Sequence, residues 1–486
     1  MIIKNREELE SCGDREGRRL ALDIIEAGLT AADPYANVQK LIRREGDRLL
    51  IGGAPDKDVS GYGDEAIDLS QIDNIYVIGA GKAVQRQAQA LENILGERLT
   101  AGAINVKHGE GCHLRRILVT EAAHPVPDEN SMAGARRIVE IVKSAGKRDL
   151  IFTLFSDGAS SLFVLPAPGL TLEDVRQIFF LGIRYGSQRL IHQAMLYASA
   201  VKYGRLATML HPARSVNLIM QVGLFPRWHG KLPEAGSWVP SWPPGVQTMD
   251  EVVPELEQRP WWDKLPFRVR AVMERRDSAY DVPDRARWSQ MRASYWQPID
   301  LYQMVAGAKA KADALGLNGV ILSSRLAALS SSAASVLSQI AYECHTFQRP
   351  FTPPVALITG GHLDVPVAGA TGVGGRNQEF TLLWARELGQ GLIASKRVVV
   401  AAVDSDGTDG PGVQHHAAPG MPPDVVCMAG GLADGYTLEL AAERGVDVDN
   451  ELANHNSSVA LAQLNGAIYT GNTGMALGDL RVAVVR

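Results

Sequence analysis

Two stretches of this chain combine residue types that do chemistry: Gly374-Gly375-Arg376-Asn377-Gln378-Glu379-Phe380 and Val403-Asp404-Ser405-Asp406-Gly407-Thr408-Asp409-Gly410. Glycines let a backbone approach a ligand closely, and a helix start offers unpaired N–H groups to an anion. A guanidinium adds a planar fork of donors that matches phosphate or carboxylate. Gly375, Arg376, Asn377 and Glu379 are therefore candidates for gripping a small anionic ligand. In the second stretch a strand ends in a turn carrying Asp404, Asp406 and Asp409, oxygen ligands suited to a divalent metal.

Three more segments carry candidates. Gly79-Ala80-Gly81-Lys82-Ala83 follows the apolar run Ile75–Ile78 and opens a helix. Such a turn can cradle a phosphate, with Lys82 neutralising a transferring phosphoryl group. It is neither a P-loop nor a dinucleotide fingerprint, and a purely structural tight turn is the competing reading. His124-Pro125-Val126-Pro127-Asp128 presents His124 at a strand end, ahead of a helix that Asp128 or Asn130 can cap. A satisfied structural histidine is its alternative. Phe155-Ser156-Asp157-Gly158-Ala159-Ser160 runs a strand into a hydroxyl-rich turn able to donate to an anion. His415 and His416 are adjacent, and neighbours in an extended segment point apart, so one metal seldom takes both.

The elements that must position these residues alternate. Strands are expected at Ile75–Ile78, Ala103–Val106, Ile117–Val119 and Leu150–Phe155, with helices from Ser131 to Ser144 and Leu172 to Arg184. A second block has helices at 303–315, 326–344 and 377–390. Its strands fall at 318–323, 355–359, 397–403 and 480–485. Alternation at this spacing predicts an α/β fold with a doubly wound parallel sheet. Between the blocks, residues 224–298 hold seven of the eight tryptophans and many prolines. This is too aromatic for a disordered linker and reads as a folded excursion, a lid or an oligomer-forming insertion. Residues 1–70 offer helices and a Gly-rich connection but no site.

At 486 residues and 46% hydrophobic composition, the chain has room for two or three domains. A net charge of −5 gives no basic footprint for nucleic acid. Four dispersed cysteines form no metal or disulfide pattern, and neither a signal peptide nor a membrane-spanning run is recognisable. A cytoplasmic protein acting on a small molecule is the expectation, with a homodimer open to it.

Taken together, these motifs resemble the class II glycerate 2-kinases, often labelled hydroxypyruvate reductase, whose C-terminal part is the MOFRL domain. Pro168-Gly169-Leu170-Thr171, Val201-Lys202-Tyr203-Gly204-Arg205, Thr470-Gly471-Asn472-Thr473-Gly474 and Gly478-Asp479-Leu480-Arg481 extend the likeness over nearly the whole chain outside 224–298. The resemblance implies a Rossmann-like N-terminal domain (1–298) and a smaller α/β MOFRL-type domain (299–486), with the active site between them. It implies ATP and Mg²⁺ as cofactors, or another divalent metal, and transfer of the γ-phosphoryl group to the 2-hydroxyl of D-glycerate. It places the essential lysine on Lys82 and the essential arginine on Arg376. Gly79, Gly81, His124, Ser156, Asp157, Ser160 and Lys202 then line the phosphate or substrate site.

The departures from the family pattern cluster at that site. Asp157 stands in the Ser-rich turn, and Met195-Leu196-Tyr197 replaces a basic run. Met220 to Pro226 replaces an acidic segment, and His362 replaces a glutamate and becomes a metal-ligand candidate. Three readings follow: a phosphotransferase on a hydroxy acid or polyol-derived substrate, a repurposed hydrolase, lyase or isomerase, and a silent binding subunit. General acid–base or metal chemistry by Asp157, His124, His362, His415 and His416 would serve the second.

Overall fold

Leu150–Ser156 is buried at every position, and a strand without a solvent face must be covered on both sides. The structure that accomplishes this is a computed structural model describing residues 1–54, 57–58, 63–185, 188–220, 239–242, 248–283, 290–367, 370–389, 396–410 and 428–486. It divides into two compact units, Pro34–Ile299 and Met1–Asp33 with Asp300–Arg486. The sequence-based division placed the first 33 residues with the N-terminal domain. They belong instead to the C-terminal unit, because the helix Arg15–Ala31 buries Leu22, Ile25 and Leu29 there. Gly28 lets that helix close on Leu480 and Met304, where an added Cβ would lie 2.5 Å from the Leu480 side chain.

In the Pro34–Ile299 unit, β1 (Ile42–Glu45), β2 (Arg48–Ile51) and β3 (Glu65–Asp68) form a small antiparallel sheet that the sequence reading missed. The main sheet comprises β4 (Ile75–Ala80), β5 (Ala101–Lys107), β6 (Ile117–Ala122), β7 (Leu150–Ser156), β8 (Arg214–Met220) and β9 (Arg292–Trp296). Every pairing is parallel, in the order β6-β5-β4-β7-β8-β9. This is the doubly wound arrangement whose strand order reverses between β4 and β7, the place where such sheets bind ligands. Helix Glu129–Ser144 starts on an Asp128–Ser131 capping box and helix Leu172–Arg184 on a Thr171–Asp174 box.

The Trp-rich segment proves to be the β8-to-β9 connection together with β9 itself. Its described helices, Met249–Leu256 and Phe267–Arg275, contribute Val253 and Met273, and the turn between them contributes Trp261 and Trp262, to one apolar cluster with Met195, Leu196 and Tyr197. Trp242 packs edge-on to Tyr295, ring centroids 5.0 Å apart. The described part is therefore core of its own unit. Residues 221–238, which include most of the replaced acidic segment, lie outside the described residues.

The other unit is built on a mixed sheet of β10 (Asn318–Leu329), β11 (Val355–Asp364), β12 (Val398–Asp404), β13 (Gly430–Asp434), β14 (Ala467–Ile468) and β15 (Asp479–Val485), ordered β10-β11-β15-β12-β13-β14. β10 runs six residues past its expected end, and the following helix starts at Ser330 rather than 326, because Leu326–Leu329 pair with Gly361–Asp364. β15 lies antiparallel between β11 and β12, so its first residue, Asp479, stands beside Gly361 and Asp404 at their carboxyl ends. Among the described residues no helix is long and apolar enough to cross a membrane.

Candidate active site

The turn after β4 is stitched closely to its neighbours. Gly81 N donates to Asn105 O (3.1 Å), Lys82 N to Asp157 O (3.0 Å) and Ala83 N to Ser156 Oγ (3.0 Å). These N–H groups thus hold the turn itself and are not spare donors for a phosphate. Gly79 and Gly81 are required by packing, since a Cβ would come within 2.2 Å of Leu154 O and Ser156 Oγ respectively, and Gly81 has φ +140°. What the turn presents is the Lys82 side chain. A Cβ on Gly158 would lie 3.0 Å from Lys82 Cγ and 3.5 Å from the His124 ring, so Lys82, His124 and the Ser156–Ser160 turn converge. They do so at the carboxyl ends of β4, β6 and β7, with His124 exposed, Ser156 buried, and Lys82, Asp157 and Ser160 half-buried.

Lys202 lies beneath this group. It is 2% exposed, and its ammonium donates to the Ser160 carbonyl. Burial pulls its pKa down to about 7. His192 is pulled down to about 4 by burial and by Lys202. Enclosed in this way, Lys202 supports the Ser160 turn from behind.

In the other unit, Arg376 opens the helix Arg376–Gly389 and reaches across β15 and β12. Its Nε donates to both Asp479 oxygens (3.0 Å each), and Nη2 donates to Asp479 Oδ1 (2.6 Å) and Asp404 Oδ2 (2.7 Å). Nη1 is 3.9 Å from Asp409 and makes no hydrogen bond to a described residue. Arg481, two residues along β15, pairs with the other Asp479 oxygen. Burial opposes ionisation of Asp479, but Arg376 and Arg481 outweigh it and hold the carboxylate at about 2. Burial wins at Asp409, whose pKa is raised despite Arg376.

The helix start, expected to await an external anion, is already capped from within. Asn377 N and Gln378 N donate to the Asp409 carboxylate at 2.9–3.1 Å, and Asn377 Nδ2 bridges Asp409 and Asp479. Gly375 serves this contact too: a Cβ would meet Asp409 O at 2.2 Å. Asp404 and Asp409 are thus committed to Arg376 and the helix. Buried Asp406 accepts from Thr408 N (2.7 Å). His362 stands 3.7 Å from Asp364, with its pKa lowered to about 4 by burial and by Arg376. Among the described residues no group of three or more histidine, cysteine or acidic side chains is placed to hold a metal, and the candidates Asp404, Asp406, Asp409 and His362 do not come together as such a group. His415 and His416 lie outside the described residues.

Sequence reasoning overlooked Asp479 and Arg481 as members of this cluster, although two charges in an otherwise apolar terminal strand were a readable sign. It also overlooked His455, whose Nδ1 lies 2.6 Å from Glu379 Oε2.

Comparison with known proteins agrees with this architecture. Residues 20–221 match a domain of unknown function, DUF4147, and residues 355–479 match the MOFRL family. The chain is 30% identical over 469 residues to a glycerate 2-kinase of Pyrococcus horikoshii, covering 96% of this chain and 97% of that one. It is also 30% identical over 417 residues to a putative hydroxypyruvate reductase of Agrobacterium vitis, covering 84% and 98%. The crystal structure of a glycerate kinase from Thermotoga maritima superposes with a TM-score of 0.72 at 26% identity, covering 96% of this chain and 99% of that one.

Proposed function

Because the chain belongs to the class II glycerate 2-kinase family, we propose that it transfers the γ-phosphoryl group of ATP to a hydroxyl of a small hydroxy acid. The carrying observation is end-to-end similarity to a glycerate 2-kinase, spanning both units rather than one domain. Two local features support it. Lys82 stands at the strand-order reversal of a doubly wound sheet, the ligand position of that fold, and supplies a cation for the phosphoryl group. Arg376 is locked through Nε and Nη2, which leaves Nη1 as the donor for a substrate carboxylate or phosphate.

Asp404 and Asp409 already serve Arg376 and the helix start, and no step here depends on a protein-held Mg²⁺. One segment departs from the family pattern: Met195, Leu196 and Tyr197 are buried against the β8-to-β9 connection where the resemblance implied cations that hold an anionic ligand. We therefore assign D-glycerate the role of a slow acceptor and a more apolar hydroxy acid that of the preferred one.

An ADP-release assay with ATP·Mg²⁺, D-glycerate and a panel of 2- and 3-hydroxy acids tests this. Slow product with D-glycerate and faster product with another acid is the expected result. Absence of ATP-dependent phosphorylation across the panel would falsify the kinase reading, and robust 2-phosphoglycerate formation would refute the altered specificity.

A further inference from the structure

One pair of side chains near Arg376, Glu379 with His455, does not serve the anion grip for which Glu379 was a candidate. Glu379 follows Arg376 by three residues on the same helix, so both side chains leave one face. The 2.6 Å contact from Glu379 Oε2 fixes His455 through Nδ1, and Nε2 makes no hydrogen bond to a described residue. The His455 side chain is 25% exposed while that of Glu379 is 11% exposed, so the ring is open and its carboxylate nearly enclosed.

The backbone at His455 has φ +52°, a left-handed conformation that costs a non-glycine residue roughly 1 kcal/mol. Retained strain of this kind motivates a functional hypothesis. The loop carrying it is tied to the residues just before Arg376. Gly372 N donates to Asn454 O (3.2 Å), Val373 N to Asn456 Oδ1 (2.9 Å) and Ser458 N to Val373 O (2.9 Å).

An imidazole held at Nδ1 by a carboxylate, with Nε2 open, is arranged to accept a proton. We infer that His455, positioned by Glu379, is the general base of the phosphotransfer, an assignment that rests on the kinase reading above. As the acceptor hydroxyl oxygen bonds to the γ-phosphorus, the bond from phosphorus to the β–γ bridging oxygen breaks. Its electron pair leaves with ADP. The hydroxyl proton passes to His455 Nε2 and then to solvent, while Glu379 stabilises the imidazolium.

The left-handed φ supplies a clean test, because glycine occupies it without strain. His455→Gly removes the ring and is expected to fold, with kcat for D-glycerate and ATP·Mg²⁺ reduced about 10²-fold or more. Added imidazole should restore turnover in proportion to its concentration. Glu379→Gln should slow turnover about 10-fold without responding to imidazole, as befits a residue that positions another. If glycine loosens the loop, His455→Asn, which also tolerates this φ, reads the same loss. A His455→Gly enzyme within about threefold of wild type, or one that imidazole leaves unrescued, overturns the assignment, since general-base contributions are larger than that. A wild type that makes no product with D-glycerate or any other acid of the panel fails one stage earlier and overturns the kinase reading itself.

Discussion

Removing the Arg376 guanidinium would leave the carboxylates of Asp404, Asp409 and Asp479 facing one another, with Arg481 as the cation still paired to Asp479. The loss would reach the fold as well as the site, because Asp479 and Asp409 have no solvent to turn to. Arg376→Ala is therefore expected to lose activity and also about 3–5 kcal/mol of stability, as for other broken buried pairs, measurable by urea unfolding. An inactive variant with wild-type stability would show that the ion-pair cluster has a role in catalysis alone. Lys202 gives a second test at this scale. Its folded pKa of about 7 lies below the ordinary 10.5, so between these values the unfolded chain binds a proton that the folded chain does not. Stability from this residue is fully present above the unfolded value and is lost as pH falls through about 7. Relative to Lys202→Met, the wild type should gain on the order of 1–3 kcal/mol between about pH 7 and about pH 9.5, and equal pH slopes for the two proteins would contradict the burial argument.

At the scale of elements, the glycines before Arg376 explain how the cluster is assembled. The sequence shows that Gly374 and Gly375 precede a helix, and it cannot show what comes close to them. That neighbour turns out to be the 409–410 turn and the 455–457 loop, not a ligand. Gly375→Ala would force a methyl group into the Asp409 carbonyl and pull its carboxylate off the Asn377 and Gln378 N–H groups. A loss of about 1–3 kcal/mol in stability is expected from such overpacking, and an unchanged melting temperature would mean that the loop yields freely. The apolar strands were legible because burial on both faces leaves a run of Val, Ile and Leu, as at Val398–Val403. β9 was hidden for a different reason. Arg292-Ala293-Ser294-Tyr295-Trp296 is polar at one end, and it completes its sheet through pairing with β8, a partner more than seventy residues away. The extension of β10 was hidden likewise, because Leu326-Ala327-Ala328-Leu329 has good helix formers, and the parallel ladder with Gly361–Asp364 overrides that propensity.

For the molecule as a whole, the chain order is that of an insertion. The helix Arg15–Ala31 ends, residues 34–299 form one unit, and the chain returns at Asp300 to the unit it left. The two junctions sit together, since Gln303 Nε2 donates to Ala31 O (3.3 Å) across the facing helices Arg15–Ala31 and Leu301–Ala314. The early segment is anchored by more than apolar contact. Arg18, 1% exposed, donates to Asp434 Oδ2 (2.6 Å), and Arg486 grips Asp14 through both carboxylate oxygens. A chain of residues 300–486 alone would expose Leu480 and leave Asp434 buried without its cation, a loss that single domains of ordinary stability do not survive. Excision of 34–299, by contrast, removes a segment whose two ends are already neighbours. An αα-hairpin closes with a loop of about 2–5 residues, so joining Asp33 to Asp300 through such a loop should preserve the unit. The expected result is a cooperatively melting protein that lacks phosphotransfer activity, while residues 300–486 without 1–33 stay unfolded by circular dichroism. If the isolated 300–486 segment melts cooperatively, the first 33 residues are a peripheral addition to that unit, and if the joined chain does not fold, the unit depends on residues 34–299.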